Sequence, residues 1–244
     1  MATAATIDRP APPASPLVDD LERELKFVLP ATRVDIAARL LNMLCKPDSQ
    51  YPDADVWTIY YDSQGFDSLD EKLNSDYLKT KIRVRWYSPP GGSGQGPVFL
   101  EAKQRVGNRR DKVRVLLPMA ADTLVPRRLS DPVLAALPEQ LAAKGFLLGP
   151  DWHPMLALRY RRRRFVDVST GSRVSLDSEI TAVSVNHRYL FARNVGPLPV
   201  AVVEAKGLTE VLPGHLRPLI TLGLRKQSMS KYAALLLQLS RALH

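Results

Sequence analysis

The sequence predicts an α+β fold: an antiparallel β-barrel with helices packed outside. Three observations carry this. Residues 81–87 read KIRVRWY and alternate without a break, Ile82, Val84 and Trp86 on one side and Lys81, Arg83, Arg85 and Tyr87 on the other. Period two with β-branched and aromatic residues marks a strand. At least six stretches of this kind put charged residues on one face and apolar residues on the other. Acids and bases also recur on the same strand face, as E-x-E-x-K at 22–26 and E-x-K at 101–103 and 204–206. One such strand alone suits a wet, basic face of an open sheet. The repetition favours closure, with the charges in a shared lumen.

In chain order, residues 1–20 are rich in Ala and Pro and read as a disordered lead-in to a single domain at 21–244. The first strand carries Glu22, Glu24 and Lys26 on one face and ends at Pro30. Residues 32–46 read as a helix, with Thr32 and Asp35 as a capping-box-like start and Ile36, Leu40, Met43 and Leu44 as the apolar stripe. Strands follow at 56–62 and 81–87, separated by a polar excursion with room for a short helix. The run SPPGGSGQGP at 88–97 is a hairpin loop. Strands at 98–106 and 111–117 come next, the latter with Lys112 and Arg114 opposite Val113 and Val115.

Residues 118–155 break the alternation and read as a helical insertion, with a helix starting at Asp131-Pro132, where proline suits the first turn. Strands resume at 158–168, where five of the six residues 159–164 are arginine, and at 172–177, 187–193 and 199–206. From about Leu216 the chain reads as helical, ending in a packed terminal helix.

Composition narrows the function. With 244 residues, 45% of them hydrophobic, a sizeable core is available. A net charge of +9 calls for an anionic partner: nucleic acid, anionic lipid or polyphosphate. No nucleic-acid motif is present and aromatics are only 7%, so nucleic acid is not the expected partner. Cys45 is the only cysteine, so no intrachain disulfide forms, and four histidines without metal-ligand spacing argue against zinc. No apolar run reaches the roughly 18 residues of a membrane span, and the N-terminus lacks a secretory core, so a cytoplasmic location is expected.

A lumen of packed cations is hard to stabilise empty. A polyphosphate resolves this, because Arg and Lys bind phosphate oxygens through charge-assisted hydrogen bonds. The interleaved carboxylates then suit Mg²⁺ or Mn²⁺ bridging protein and phosphate.

At this level of detail the chain resembles the CYTH-like triphosphate tunnel enzymes, and more specifically their VTC-domain, polyphosphate polymerase branch. The matching stretches are LERELK (21–26), TIYYD (58–62), KIRVRWY (81–87), FLEAK (99–103), DKVR (111–114), YRRRRF (160–165), RVSLD (173–177), VVEAK (202–206) and SMSKY (228–232). The resemblance implies a tunnel of antiparallel strands holding a triphosphate or polyphosphate. It implies catalytic roles for Arg83, Arg85, Arg162, Arg173 and Glu204, and phosphate contacts by Lys26, Lys103, Arg114, Lys206, Ser230 and Lys231. It also implies a metal on Glu204 with help from Glu22 and Glu24. Two departures stand out: no segment here resembles the regulatory domain or membrane helices of eukaryotic members, and position 228 is Ser where some members have Lys. The implied activity is metal-dependent transfer of the ATP γ-phosphate to a growing polyphosphate. Hydrolysis of tripolyphosphate or a nucleoside triphosphate, and polyphosphate binding without catalysis, are the alternatives.

Overall fold

The computed structural model describes residues 23–241 apart from 75, 76, 108, 126, 150, 192–194 and 209. The predicted lead-in at 1–20 and Glu22 lie outside the described residues. The strands are β1 (Arg23–Pro30), β2 (Lys46–Pro47), β3 (Ala54–Asp62), β4 (Leu78–Ser88), β5 (Val98–Val106), β6 (Arg109–Leu117), β7 (His153–Val166), β8 (Arg173–Val185), β9 (Val200–Gly207) and β10 (Arg225–Lys226). They form one antiparallel sheet in the order β10-β1-β9-β8-β7-β3-β4-β5-β6, with β2 paired to β7 off that path.

The expected barrel is therefore corrected: among the described residues β6 and β10 are the outer edges of the sheet, which does not close. The edges explain why. β6 presents Arg109, Arg110, Lys112 and Arg114, and β10 is two basic residues, so pairing them would set like charges against each other. The open sheet still curls. Lys103 on β5 feels the charges of Glu24, Lys26 and Lys206 on β1 and β9, strands far from it in sheet order.

Alternation divides each strand between the two faces. On the convex face, Trp57, Ile59, Tyr61, Ile82, Val84 and Trp86 pack under α3 (Pro132–Ala136) and α4 (Glu139–Ala142) through Leu134, Leu137 and Leu141. Asp131 caps α3 by accepting from the Val133 N–H at 2.8 Å. Leu25, Phe27, Leu29, Val203 and Ala205 form a second convex core under α1 (Val34–Leu44) and the 3₁₀ helix Gly214–Leu222.

The concave face also holds a core, which corrects the expectation that the helices pack outside. α5 (Lys231–Arg241) lays Tyr232, Leu235, Leu236 and Leu239 against Val56, Leu156, Leu158, Tyr160 and Val202. These strand residues share parity with Arg162 and Glu204, so one face is part apolar under α5 and part charged.

Local corrections follow the same physics. α1 has no side-chain cap: residues 31–33 form a 3₁₀ turn, and Arg33 precedes the helix. Its buried stripe is Ala37, Ala38 and Leu41, small residues that allow close approach, while Ile36 and Met43 face solvent. Residues 187–189 form a turn closed by Tyr189 and Leu190 N–H donating to the Asn186 carbonyl, not the expected strand, and 192–194 lie outside the described residues. β8 instead runs on to Val185. Among the described residues no helix is long and apolar enough to cross a membrane.

Candidate functional site

Two charged knots occupy the concave face. In the first, strand register sets Arg83 opposite Glu101, and Glu101 opposite Arg114. Glu101 Oε2 accepts from Arg83 Nε at 2.7 Å, and its Oε1 lies 3.1 Å from Arg114 Nε. Burial alone would raise the Glu101 pKa, but Arg83, Arg85 and Arg114 outweigh it and hold the carboxyl down at about 2. The Arg114 guanidinium also lies over the Phe99 ring, 3.8 Å from its centre. Arg85 is buried and donates to Thr58 Oγ1 at 3.1 Å.

The second knot joins β1, β7, β8, β9 and α5. Arg162 grips Asp177 with both arms of its fork, Nε to Oδ1 and Nη2 to Oδ2, each at 2.6 Å. Lys231 Nζ reaches the same carboxylate at 2.7 Å. Glu204 lies 3.3 Å from Arg162, 3.6 Å from Lys231 and 3.5 Å from Lys26. Lys26 continues to Glu24 at 2.9 Å, and Lys206 stands 3.9 Å from Glu24. The Asp177 side chain is 0% exposed and that of Glu204 8%. Burial opposes both charges, yet the surrounding cations hold both carboxyls below their usual range. Arg162 and Lys231 also lie over Tyr160, 5.4 and 4.7 Å from its ring centre.

Between the knots sits Tyr60, paired in register with Arg83 and stacked on Tyr232, ring centres 5.2 Å apart. Burial pushes its phenol up, but Arg83, Arg85, Lys81 and Lys231 together bring it down to about 8.

A cavity of about 860 Å³ opens at one end of the trough. Phe99 and Arg114 from β5 and β6 line it together with Arg162, Arg173, Glu204 and Lys206 from β7 to β9.

The structure thus places Glu24, Lys26, Arg162, Glu204, Lys206 and Lys231 in one network, and Arg83, Arg85 and Arg114 around Glu101. Lys112 shares the Arg114 face and stands opposite Lys103. Lys103 and Arg173 lie at exposed rims, Arg173 opposite Lys206 in register. Ser230 precedes α5, its Oγ accepting from Ala233 N–H at 3.4 Å. Glu22 lies outside the described residues.

Four side chains with no site role assigned from the sequence stand at the centre: Asp177, Glu101, Tyr60 and Tyr160. Parity already puts Glu101 on the charged face with Phe99 and Lys103, and Asp177 with Arg173 and Ser175, but a shared face does not show which cations each carboxylate meets.

Among the described residues no group of three or more His, Cys, Asp or Glu is placed to hold a metal by itself. Glu24 and Glu204, linked through Lys26 Nζ, are two hard oxygen donors facing one trough. That set fits Mg²⁺ or Mn²⁺ only where phosphate oxygens complete the shell, which is the usual manner of Mg²⁺ binding.

Among curated proteins none matches this sequence. Solved structures similar to it include a candidate adenylate cyclase from Vibrio parahaemolyticus, 12% identical over 88% of this chain and 97% of that one, with a TM-score of 0.46. Another is a candidate adenylate cyclase from Bacillus halodurans, 13% identical over 86% and 92%, with a TM-score of 0.46. A family profile describing the VTC domain matches residues 21–239. That match takes in both charged knots, and the chain belongs to the VTC domain family.

Proposed function

We propose that the protein is a metal-dependent polyphosphate polymerase that transfers the γ-phosphate of ATP to a growing inorganic polyphosphate. The observation that carries this is the cationic surplus of the second knot: Lys26, Arg162, Lys206 and Lys231 surround three carboxylates, with Arg83 and Arg85 on the wall beside them. Such a surplus suits a phosphate chain, and phosphoryl transfer needs positioning and charge neutralisation more than acid–base chemistry.

Arg83, Arg85, Arg162 and Arg173 hold the transferring phosphoryl group and its neighbours through N–H donors. Lys26, Lys103, Arg114, Lys206, Ser230 and Lys231 align the phosphates on either side. The terminal oxygen of the acceptor chain attacks the γ-phosphorus, the bond from that phosphorus to the bridging oxygen breaks, and ADP leaves with the electron pair. The attacking oxygen is already anionic, so no general base is required. Glu204, with Glu24 and Glu22, would hold Mg²⁺ or Mn²⁺, which supplies charge neutralisation at the leaving oxygen.

Incubation with ATP and each metal, with products resolved by size, tests the proposal: polyphosphate with ADP is expected. Glu204→Gln is expected to abolish metal-dependent turnover with the fold intact, and unchanged turnover in the folded variant would sink the metal assignment. Hydrolysis is the second reading, favoured by Glu24, whose side chain is 27% exposed and so open to a water it could orient. Orthophosphate release without chain growth would select it.

A further inference from the structure

Five of the six residues 159–164 are arginine, and the trough uses only those of one parity. Arg162 grips Asp177, and Arg164 lines the cavity. Arg159, Arg161 and Arg163 fall on the other side of β7, on the convex face. Their neighbours of the same parity are covered: Ala157 packs against the first convex core, and Phe165 is buried in the second. The three arginines therefore stand in the gap between the two cores.

All three are half-buried, yet their acids do not match them. Arg159 Nη2 lies 3.3 Å from Glu179, and its Nη1 lies 3.9 Å from Asp55. Arg161 stands opposite Asp55 and Ser178 in register. Asp55 Oδ2 is instead taken by the Gly91 N–H, at 2.8 Å. The Arg161 Nε is buried and has no acceptor among the described residues. Arg163 stands opposite Leu176. Among the described residues no carboxylate pairs with Arg161 or Arg163. A partly desolvated guanidinium without an acceptor is costly, and an anion from outside the chain would relieve two of them at once.

The row has a spacing as well as a sign. Alternate side chains of a strand recur every two residues, about 6.4–6.8 Å apart. An extended peptide repeats at the same interval. Acids at every second position would lie over Arg159, Arg161 and Arg163 in turn, and an arginine fork takes a carboxylate through two N–H donors. Single-stranded nucleic acid calls for stacking rings as well. The ring opposite Arg159 is Trp57, which is buried against Trp86, ring centres 5.9 Å apart.

We propose that Arg159, Arg161 and Arg163 form a docking site for an extended acidic segment of a partner protein, with Asp or Glu at every second position. The site lies across the sheet from the trough and does not depend on the phosphate reading.

Fluorescence anisotropy of the full chain with a labelled peptide of alternating Glu and Ser tests it. A peptide of the same composition with its glutamates in one block is the control. The variants are the Arg161→Gln/Arg163→Gln and Arg159→Gln/Arg163→Gln double substitutions, each checked by thermal melting, with tripolyphosphate affinity measured by calorimetry in the same proteins. The alternating peptide is expected to bind wild type and to lose about tenfold in each variant, two half-exposed ionic contacts being removed. Tripolyphosphate affinity should stay within about twofold, because none of the three arginines faces the trough. Absence of peptide binding to wild type, or unchanged affinity in both folded variants, would overturn the site. So would an equal loss for tripolyphosphate, which would reduce the effect to net charge. Equal affinity for the blocked peptide would overturn the matched spacing. Single-stranded RNA of matched charge that binds as tightly, and weakens in the same variants, would overturn the partner class. Wild-type protein that binds the alternating peptide but no tripolyphosphate would remove the phosphate reading and leave this site standing.

Discussion

Asp177→Asn is the sharpest perturbation of the second knot, because it removes one charge and almost no volume. Asp177 is fully buried and takes both arms of Arg162 at 2.6 Å and Lys231 at 2.7 Å. Removing one partner of a buried ion pair costs about 3–5 kcal/mol, since it leaves the other charge desolvated and unmatched. Here Glu204 stays 3.3 Å from Arg162 and 3.6 Å from Lys231, so the two cations keep some compensation. The lower end, about 3 kcal/mol, is the appropriate expectation. For a domain of this size each kcal/mol lowers Tm by about 2–4 °C, which gives a fall of about 6–12 °C. The assay is thermal unfolding of wild type and variant with and without tripolyphosphate. A bound polyanion supplies the missing negative charge, so the variant should gain more Tm from the ligand than wild type does. A Tm loss below about 2 °C, or an equal gain from ligand in both proteins, would refute the idea that Asp177 neutralises Arg162 and Lys231.

Three further outcomes are expected. Glu101 has its folded pKa depressed from 4.5 to about 2, so the stability it contributes is complete above about pH 4.5 and lost as pH falls towards 2. Urea unfolding across that window should show Glu101→Gln flattening an acid loss on the order of 3 kcal/mol. A spectrophotometric pH titration should show one phenol ionising near pH 8, absent in Tyr60→Phe and moved upward by polyphosphate, because the anion offsets the Arg83 and Arg85 charges. Asp62→Ala leaves the Tyr232 hydroxyl and the Ser68 N–H without their acceptor, while the Leu69 N–H keeps the Phe66 carbonyl, and should cost about 2–4 kcal/mol in denaturant unfolding.

The face assignment was legible in the sequence wherever alternation was unbroken. Residues 81–87 put Ile82, Val84 and Trp86 into the convex core and Arg83 and Arg85 on the concave face, as period two requires. Closure was not legible. Alternation fixes the two faces of a strand, but whether two edges meet depends on what the edges carry, and Arg109, Arg110, Arg225 and Lys226 carry charge of one sign. The seat of α5 was also hidden, because an amphipathic helix shows that it packs, not on which face. Asp177 and Glu101 shared parity with assigned residues, yet their weight comes from cross-strand register, which places Asp177 beside Arg162 and Glu101 between two arginines. Register is set by turns and pairing partners that a single strand does not encode.

The open sheet and the seat of α5 are two sides of one arrangement. A closed barrel buries its interior by pairing its last edge. This sheet leaves that edge open and buries part of its concave face under Tyr232, Leu235, Leu236 and Leu239. The helix enters where the apolar part meets the charged part, so Lys231, its first residue, lands on Asp177 and Glu204. The next residue, Tyr232, donates to Asp62, whose carboxylate also accepts the Ser68 and Leu69 N–H groups at the start of α2 (Asp67–Leu73). One buried carboxylate therefore anchors both the helix that carries Lys231 and the helix that carries Lys72. It lies outside both charged knots, so loosening it would displace Lys231 and Lys72 together without altering a single charge in either knot.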